Sequence, residues 1–341
     1  MDRRAFIGTL AGGLVAAPLA AAAQPAGKVW RVGLSVTNPT LRDALVAGLQ
    51  ELGYQEGRNI AIDWRQGSAG DTRSIEDLVR LKPDCLVLPG ELRWVLGRRL
   101  TSTIPIITID LESDPVASGF VASFARPGGN VTGIFVDLPE LAGKVIQILR
   151  EAIPALTRLA VLWDERQGDA QLRAAQGGAK ATGTSLFPIA IRADADLDHA
   201  VSRAMRSRPQ ALLVLSGPVI YVDRTRIVES AVRNRLPSAS VQPELAEAGG
   251  LIGYGPNLAE QFRQAARYID RLVKGARPAD LPIERPSRFQ LLVNLKTGKA
   301  LGLTIPPSLL QRAGQIGVAH TSFKVPDLLI IYQAAFPQHI V

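Results

Sequence analysis

The chain has 341 residues, of which 47% are hydrophobic and 21% charged, and its formal net charge is +8. This balance belongs to a globular protein without long disorder, and the length favours two lobes over one core. The basic residues are scattered, with no Lys/Arg block interleaved with aromatics, so no nucleic-acid partner is expected and the charge reads as a solvated surface.

The chain opens like an export signal. Arg3 and Arg4 form a basic start, Ala5 to Ala20 a weakly apolar stretch, and Ala21-Ala22-Ala23 a small-residue cleavage site, so residues 1–23 are expected to be removed. The Arg3-Arg4-Ala5-Phe6-Ile7 run fits a twin-arginine signal, with general secretion the alternative route, and places the mature protein in the periplasm. An uncleaved anchor fits less well, because Gly8, Gly12, Gly13 and Pro18 make a poor spanning helix. Cys85, the only cysteine, sits in an apolar run, where it reads as a small buried hydrophobe. No cysteine follows the signal to carry a lipid, so the membrane is expected to be met only through a partner.

From residue 29 onward short Val/Ile/Leu runs alternate with amphipathic stretches, the rhythm of repeated βα units. Strands are predicted at Val29–Val36, Asn59–Trp64, Asp84–Leu88, Pro105–Ile109 and Val131–Phe135. Helices are predicted after Thr40, over Asp71–Arg80 and over Glu91–Leu100. A second array follows Asp137-Leu138-Pro139. Its helices are Glu140–Ala152, Asp169–Thr182, Asp196–Arg206 and Asp223–Asn234; its strands are Arg158–Leu162, Ser185–Ile191, Ala211–Leu215 and Pro237–Val241. Such alternation predicts parallel sheets with right-handed crossovers and helices on both faces. Gly249–Gly253, a helix over Leu258–Lys274, the extended Pro282–Val293 and a helix near Leu295–Leu301 come next, and the pattern alone does not assign them to a lobe. The stretch Gly314–Val341 breaks the rhythm. Its apolar run Asp327–Gln333 reads as an added strand, a disordered tail or an artefact, and its deletion is expected to leave stability and binding intact.

Several motifs resemble the exported substrate-binding proteins of ABC importers, in the subfamily with tryptophan- and tyrosine-binding members. They are Leu45-Val46-Ala47-Gly48-Leu49-Gln50-Glu51-Leu52-Gly53-Tyr54, Ala125-Arg126-Pro127-Gly128-Gly129-Asn130-Val131-Thr132-Gly133, Glu140-Leu141-Ala142-Gly143-Lys144, Ala248-Gly249-Gly250-Leu251 and Asn294-Leu295-Lys296-Thr297. The resemblance implies a type I periplasmic-binding-protein fold, two Rossmann-like lobes with parallel sheets joined by a three-strand hinge. It places residues 28–137 and about 254–276 in the first lobe, 138–253 and about 277–312 in the second, and 313–341 in an atypical tail. It also implies a small-molecule ligand, an amino acid or related compound, an ABC permease as partner, and a monomer. Two loops depart from the family pattern, Trp163–Asp169 and Pro89-Gly90-Glu91, so the family's ligand does not carry over.

In open α/β sheets ligands gather beyond the carboxyl ends of the strands, where loops meet helix N-termini. The loops that qualify offer Asn38 and Thr40, Gly90 and Glu91, Asp110, Trp163 and Asp164, Gly217 and Tyr221, and Gln242. Several have competing structural roles. Thr40 doubles as the expected N-cap of the first helix, Asp114 before Pro115 as another cap, and Trp163 as a core edge. Asp110 and Glu112 follow an apolar strand and cap nothing evident. Tyr221 is placed to stack on a planar ligand without serving the core. Catalysis is poorly supplied: the histidines are His199, His320 and His339, and no H-E-x-x-H, C-x-x-C, G-x-S-x-G, Walker A or G-x-G-x-x-G pattern occurs. No cofactor and no metal are expected. Binding without chemistry fits best, with an exported α/β enzyme or a receptor-docking ligand sensor as alternatives.

Overall fold

The computed structural model describes residues 28–67, 71–110, 115–116, 118–192, 196–286, 288–310 and 328–334. The signal-like segment, Glu112, Asp114, His320 and His339 lie outside the described residues.

The first lobe alternates β1 (Trp30–Ser35), α1 (Pro39–Glu51), β2 (Ile60–Arg65), α2 (Thr72–Arg80), β3 (Cys85–Val87), α3 (Glu91–Leu100), β4 (Ile106–Asp110) and β5 (Val131–Phe135). Its five strands are parallel in the order β2-β1-β3-β4-β5. Val32, Leu34, Leu86, Val87, Ile106 and Ile107 are fully buried, as expected when helices cover both faces of a parallel sheet. Cys85 is buried and free, and burial, reinforced by Asp84, pushes its thiol up to about 12, so it stays an inert hydrophobe. On α1 the buried residues Leu41, Leu45, Gly48 and Leu49 form one helical stripe.

The second lobe runs α4 (Leu138–Ala152), β6 (Arg158–Asp164), α5 (Ala170–Ala181), β7 (Ser185–Ile191), α6 (Leu197–Met205), β8 (Ala211–Val214), α7 (Pro218–Val222), α8 (Arg224–Arg233), β9 (Ser238–Ser240), α9 (Glu244–Glu247) and β10 (Ile252–Gly255). The chain then forms α10 (Leu258–Val273), β11 (Arg288–Asn294), α11 (Leu295–Ala300) and β12 (Leu328–Ala334). The second sheet has the order β12-β11-β10-β9-β8-β6-β7, with β11 antiparallel to β10 and β12 antiparallel to β11. The short helices α7 and α9 have no counterpart in the sequence reading.

Three connections join the lobes. The first passes from β5 into α4. The second leads from β10 to α10, which packs on α1 so closely that a Cβ at Gly48 would stand 2.4 Å from the Arg263 carbonyl oxygen. The third follows α10. Residues 278–284 still pack on the first lobe: the Leu281 carbonyl accepts from Thr132 Oγ1 at 2.8 Å, and Glu284 N donates to the Gly133 carbonyl at 3.0 Å. Ile134 and Glu284 form a parallel bridge, so the first and third connections run side by side.

These contacts shift two expected lobe edges. Tyr254 and Gly255 pair with Leu291 and Gln290 in the second sheet, not in the first lobe. The return to the second lobe comes after Glu284 and not near residue 277, because the Tyr268 hydroxyl shares its proton between the Gly133 and Pro282 carbonyls, at 2.7 and 2.9 Å, and holds that segment to β5. The apolar tail run is an added strand, β12, in register with β11 from Asn294 opposite Leu328 to Arg288 opposite Ala334. An antiparallel partner satisfies backbone groups that β11 would otherwise leave open, which argues against a dispensable tail.

Candidate functional site

The carboxyl ends of the strands in both sheets face one cleft of about 560 Å³. Asn38, Gly90 and Glu91 line it from the first lobe, and Gly217, Tyr221 and Gln242 from the second. Thr40, Trp163 and Asp164 do not.

Each departure has a local cause. Pro39 occupies the first turn of α1, so the cap is the residue before it: Asn38 Oδ1 accepts from Thr40 N at 2.9 Å. Thr40 is therefore inside the helix and is not its N-cap. Trp163 packs against the hydrophobic core, the competing role already considered for it. Asp110 ends β4 opposite Phe135, and its side chain lies outside the described residues. Asp164 is 2% exposed and acts through a neighbour. Its Oδ1 accepts from Arg166 Nε at 2.8 Å and its Oδ2 from Arg166 Nη2 at 2.9 Å, which aims a guanidinium at the cleft wall.

Glycine is required at Gly90. It precedes α3 with φ +81°, a conformation that side chains resist, and its N–H donates to the Ile109 carbonyl at 3.0 Å. No side chain caps α3, so the positive end of that helix opens toward the cleft. Gly217 serves proximity, since a Cβ there would stand 2.7 Å from Asp164 Cβ.

The second-lobe floor is polar and internally satisfied. Gln171 Nε2 donates to the Ser216 carbonyl, Ser216 N donates to Gln171 Oε1 at 3.0 Å, and Gln242 Nε2 donates to Ser216 Oγ at 3.0 Å. Tyr221 lines the cleft yet is buried within the main core, so the expectation that it is not needed there is overturned. The Arg224 guanidinium lies 4.7 Å from its ring centroid. Burial, with Glu244 nearby, raises the Tyr221 phenol, which stays neutral. Apolar walls come from Leu41, Ile109, Phe120 and Phe262, and two exposed side chains, Leu92 and Val222, stand on opposite lobes at the rim.

Sequence reasoning missed Arg93. It lines the cleft but is only 4% exposed. Its Nη1 donates to the Pro89 carbonyl at 3.2 Å, and its Nη2 to Thr37 Oγ1 at 3.0 Å and the Gly67 carbonyl at 2.9 Å. One side chain thus ties together the loops that follow β1, β2 and β3. Burial lowers its pKa to about 10, against a small opposing pull from Asp71, so it is a cation at neutral pH. An arginine between Leu92 and Trp94 reads as surface in a sequence; only the buried Trp94 beside it hints otherwise.

A two-lobed α/β molecule with an interlobe cleft built this way has known relatives. Residues 37–317 match the family described as ABC transporter substrate binding protein. This chain belongs to that family. It is 24% identical over 282 residues to the tyrosine-binding protein of Clostridioides difficile, covering 80% of this chain and 81% of that one. A conserved domain protein from Vibrio cholerae superposes with TM-score 0.76 at 23% identity, over 84% of this chain and 98% of the other. An ABC domain in complex with L-Trp from Streptococcus pneumoniae gives TM-score 0.73 at 23% identity, over 83% and 98%. The fold is the type I periplasmic-binding-protein fold, and the family captures small solutes for ABC transporters, generally outside the cytoplasm. Among the described residues no helix is long and apolar enough to cross a membrane.

Proposed function

We propose that this protein captures a small organic solute, an amino acid or related compound, between its lobes in the periplasm and hands it unchanged to an ABC permease. The observation that carries the reading is the composition of the cleft: both lobes line it, and at its rim Leu92 and Val222 are 44% and 47% exposed on opposite sides. A solute touching both lobes favours the closed form by the contacts it makes only there, and closure covers these apolar rims. The permease then reads the closed surface. Export by the twin-arginine route, work as a monomer and the absence of any catalytic step belong to the same proposal.

Native mass spectrometry of protein purified from the periplasm without refolding tests it, followed by calorimetry and small-angle scattering with the molecule recovered. A single bound solute, recovered intact, that makes the particle more compact is the expected result. Chemical conversion of the solute, or an unchanged scattering profile at saturation, speaks for a different protein. Replacing Arg3 and Arg4 by Lys is expected to leave precursor in the cytoplasm; undiminished export would assign the general secretory route instead.

A further inference from the structure

Three charged side chains are buried among the described residues, Arg93, Asp164 and Glu244. Asp164 is answered by the Arg166 guanidinium, and Glu244 Oε1 accepts from Leu258 N at 2.8 Å. Arg93 is different. The partners of its guanidinium are all neutral, two carbonyls and a hydroxyl, and its buried Nε has none. Asp71, whose charge reaches it from a distance, is engaged in capping α2, accepting from Arg73 N at 3.2 Å. Of the five donors a guanidinium carries, three are used. A cation out of water with unspent donors is costly unless something anionic completes it. The amino end of α3 adds to the same field, offset in part by Glu91 in its first turn.

The chemistry of the surroundings narrows the anion. Ile109, Phe120 and Phe262, which line the same cleft as Arg93, and Pro218 and Tyr221 from the second lobe give the rest of the ligand an apolar and partly aromatic bed. We propose that the cleft is specific for organic acids, with Arg93 receiving the carboxylate at the amino end of α3 and the apolar body lying between the lobes. With both Nη2 protons spent and Nε sealed in the interior, a carboxylate oxygen takes the one Nη1 proton that remains, whereas a phosphate monoester would bring more charge and more acceptors than this apolar bed answers. The inference rests on reading the cleft as a solute site, and goes further by naming the charge of the solute and the residue that selects it.

The test is a thermal-shift screen of the full mature chain with matched sets built on the same aromatic or branched carbon skeleton: the carboxylate, its primary amide, the corresponding amine and the phosphate monoester. Carboxylates alone are expected to raise the melting temperature. Calorimetry on the best of them should give an affinity on the order of thirty- to a hundredfold above that of its amide. Arg93→Gln should erase that ratio, and Arg93→Lys should restore part of it. If Arg93→Gln folds by circular dichroism and keeps the ratio, Arg93 is not the receptor and the proposal fails. Should loss of the loop contacts unfold both variants, the carboxylate-to-amide ratio of the wild type decides, and a ratio near one overturns the proposal. Binding of amines, amides or phosphate esters in preference to carboxylates overturns it while leaving the solute-site reading intact. No binding by any set, with no molecule retained in native mass spectrometry, overturns both.

Discussion

Glu244→Gln should remove a pH-dependent weakness from the junction between the lobes. Glu244 opens α9 in the second lobe, and its Oε1 accepts from the N–H of Leu258, the first residue of α10, at 2.8 Å. Its Oε2 is buried without a partner. Burial pushes the carboxyl up to about 7 from an ordinary value near 4.5; the Glu247 charge adds to the rise, while backbone N–H donors and Arg224 oppose it. The folded state therefore holds this proton more tightly than the unfolded chain does. Below pH 4.5 both states are protonated and the site costs nothing. As pH rises toward 7 the unfolded chain ionises first and stability falls; above 7 both are ionised and the loss is constant. At about 1.4 kcal/mol for each pH unit, the window amounts to roughly 3 kcal/mol. The amide keeps the acceptor for Leu258 and cannot ionise. Urea unfolding at pH 4.5 and pH 8 should show the wild type losing about 3 kcal/mol more than Glu244→Gln over that interval. Parallel stability curves for the two proteins would refute the reasoning.

Three further outcomes are expected. Gly133→Ala should destabilise by about 3 kcal/mol or more, read by calorimetric melting, because Gly133 has φ +140° and its Cβ would stand 2.0 Å from the Thr108 carbonyl oxygen. Deleting residues 328–341 should lower the melting temperature while leaving ligand affinity unchanged, since β12 pairs with β11 along seven residues and β11 contributes none of the cleft-lining residues; an unaltered melt would show that the ladder adds no stability. Tyr221→Ala should cost about 3–4 kcal/mol of stability through the core and about 1–3 kcal/mol of ligand binding, separable by denaturation and titration calorimetry.

The βα alternation made the lobes legible, because a strand covered by helices on both faces must be an unbroken apolar run such as Leu86-Val87-Leu88. What escaped was short or collective. The helices α7 and α9 have five and four residues, too few for a helical period to emerge. The cap of α1 is readable from Asn38-Pro39, since a proline in the first turn makes the preceding residue, and not Thr40, the cap. Glycine and loop positions at strand exits located the cleft. Arg93 stayed hidden because its burial arises from three loops, at Thr37, Gly67 and Pro89, that only the folded chain brings together. Asp164 lies on the right loop, but its partner Arg166 is the residue that reaches the cleft.

The two connections bridged at Ile134 and Glu284 form a narrow ribbon, with Phe135 N donating to the Glu284 carbonyl at 2.9 Å. A hydrogen-bonded ribbon resists sliding of one strand along the other but flexes out of its own plane with little loss of bonding. The second connection is anchored at Leu258 by Glu244, and beyond it α10 is locked to α1 at Gly48, where the backbones have no room to shift. The joint is thus a flexure with one soft direction. Sideways shear would break the ribbon or separate α1 from α10, so the lobes are left to fold toward each other across the cleft, and a disulfide across the ribbon would stiffen the molecule without touching a single residue that lines the cleft.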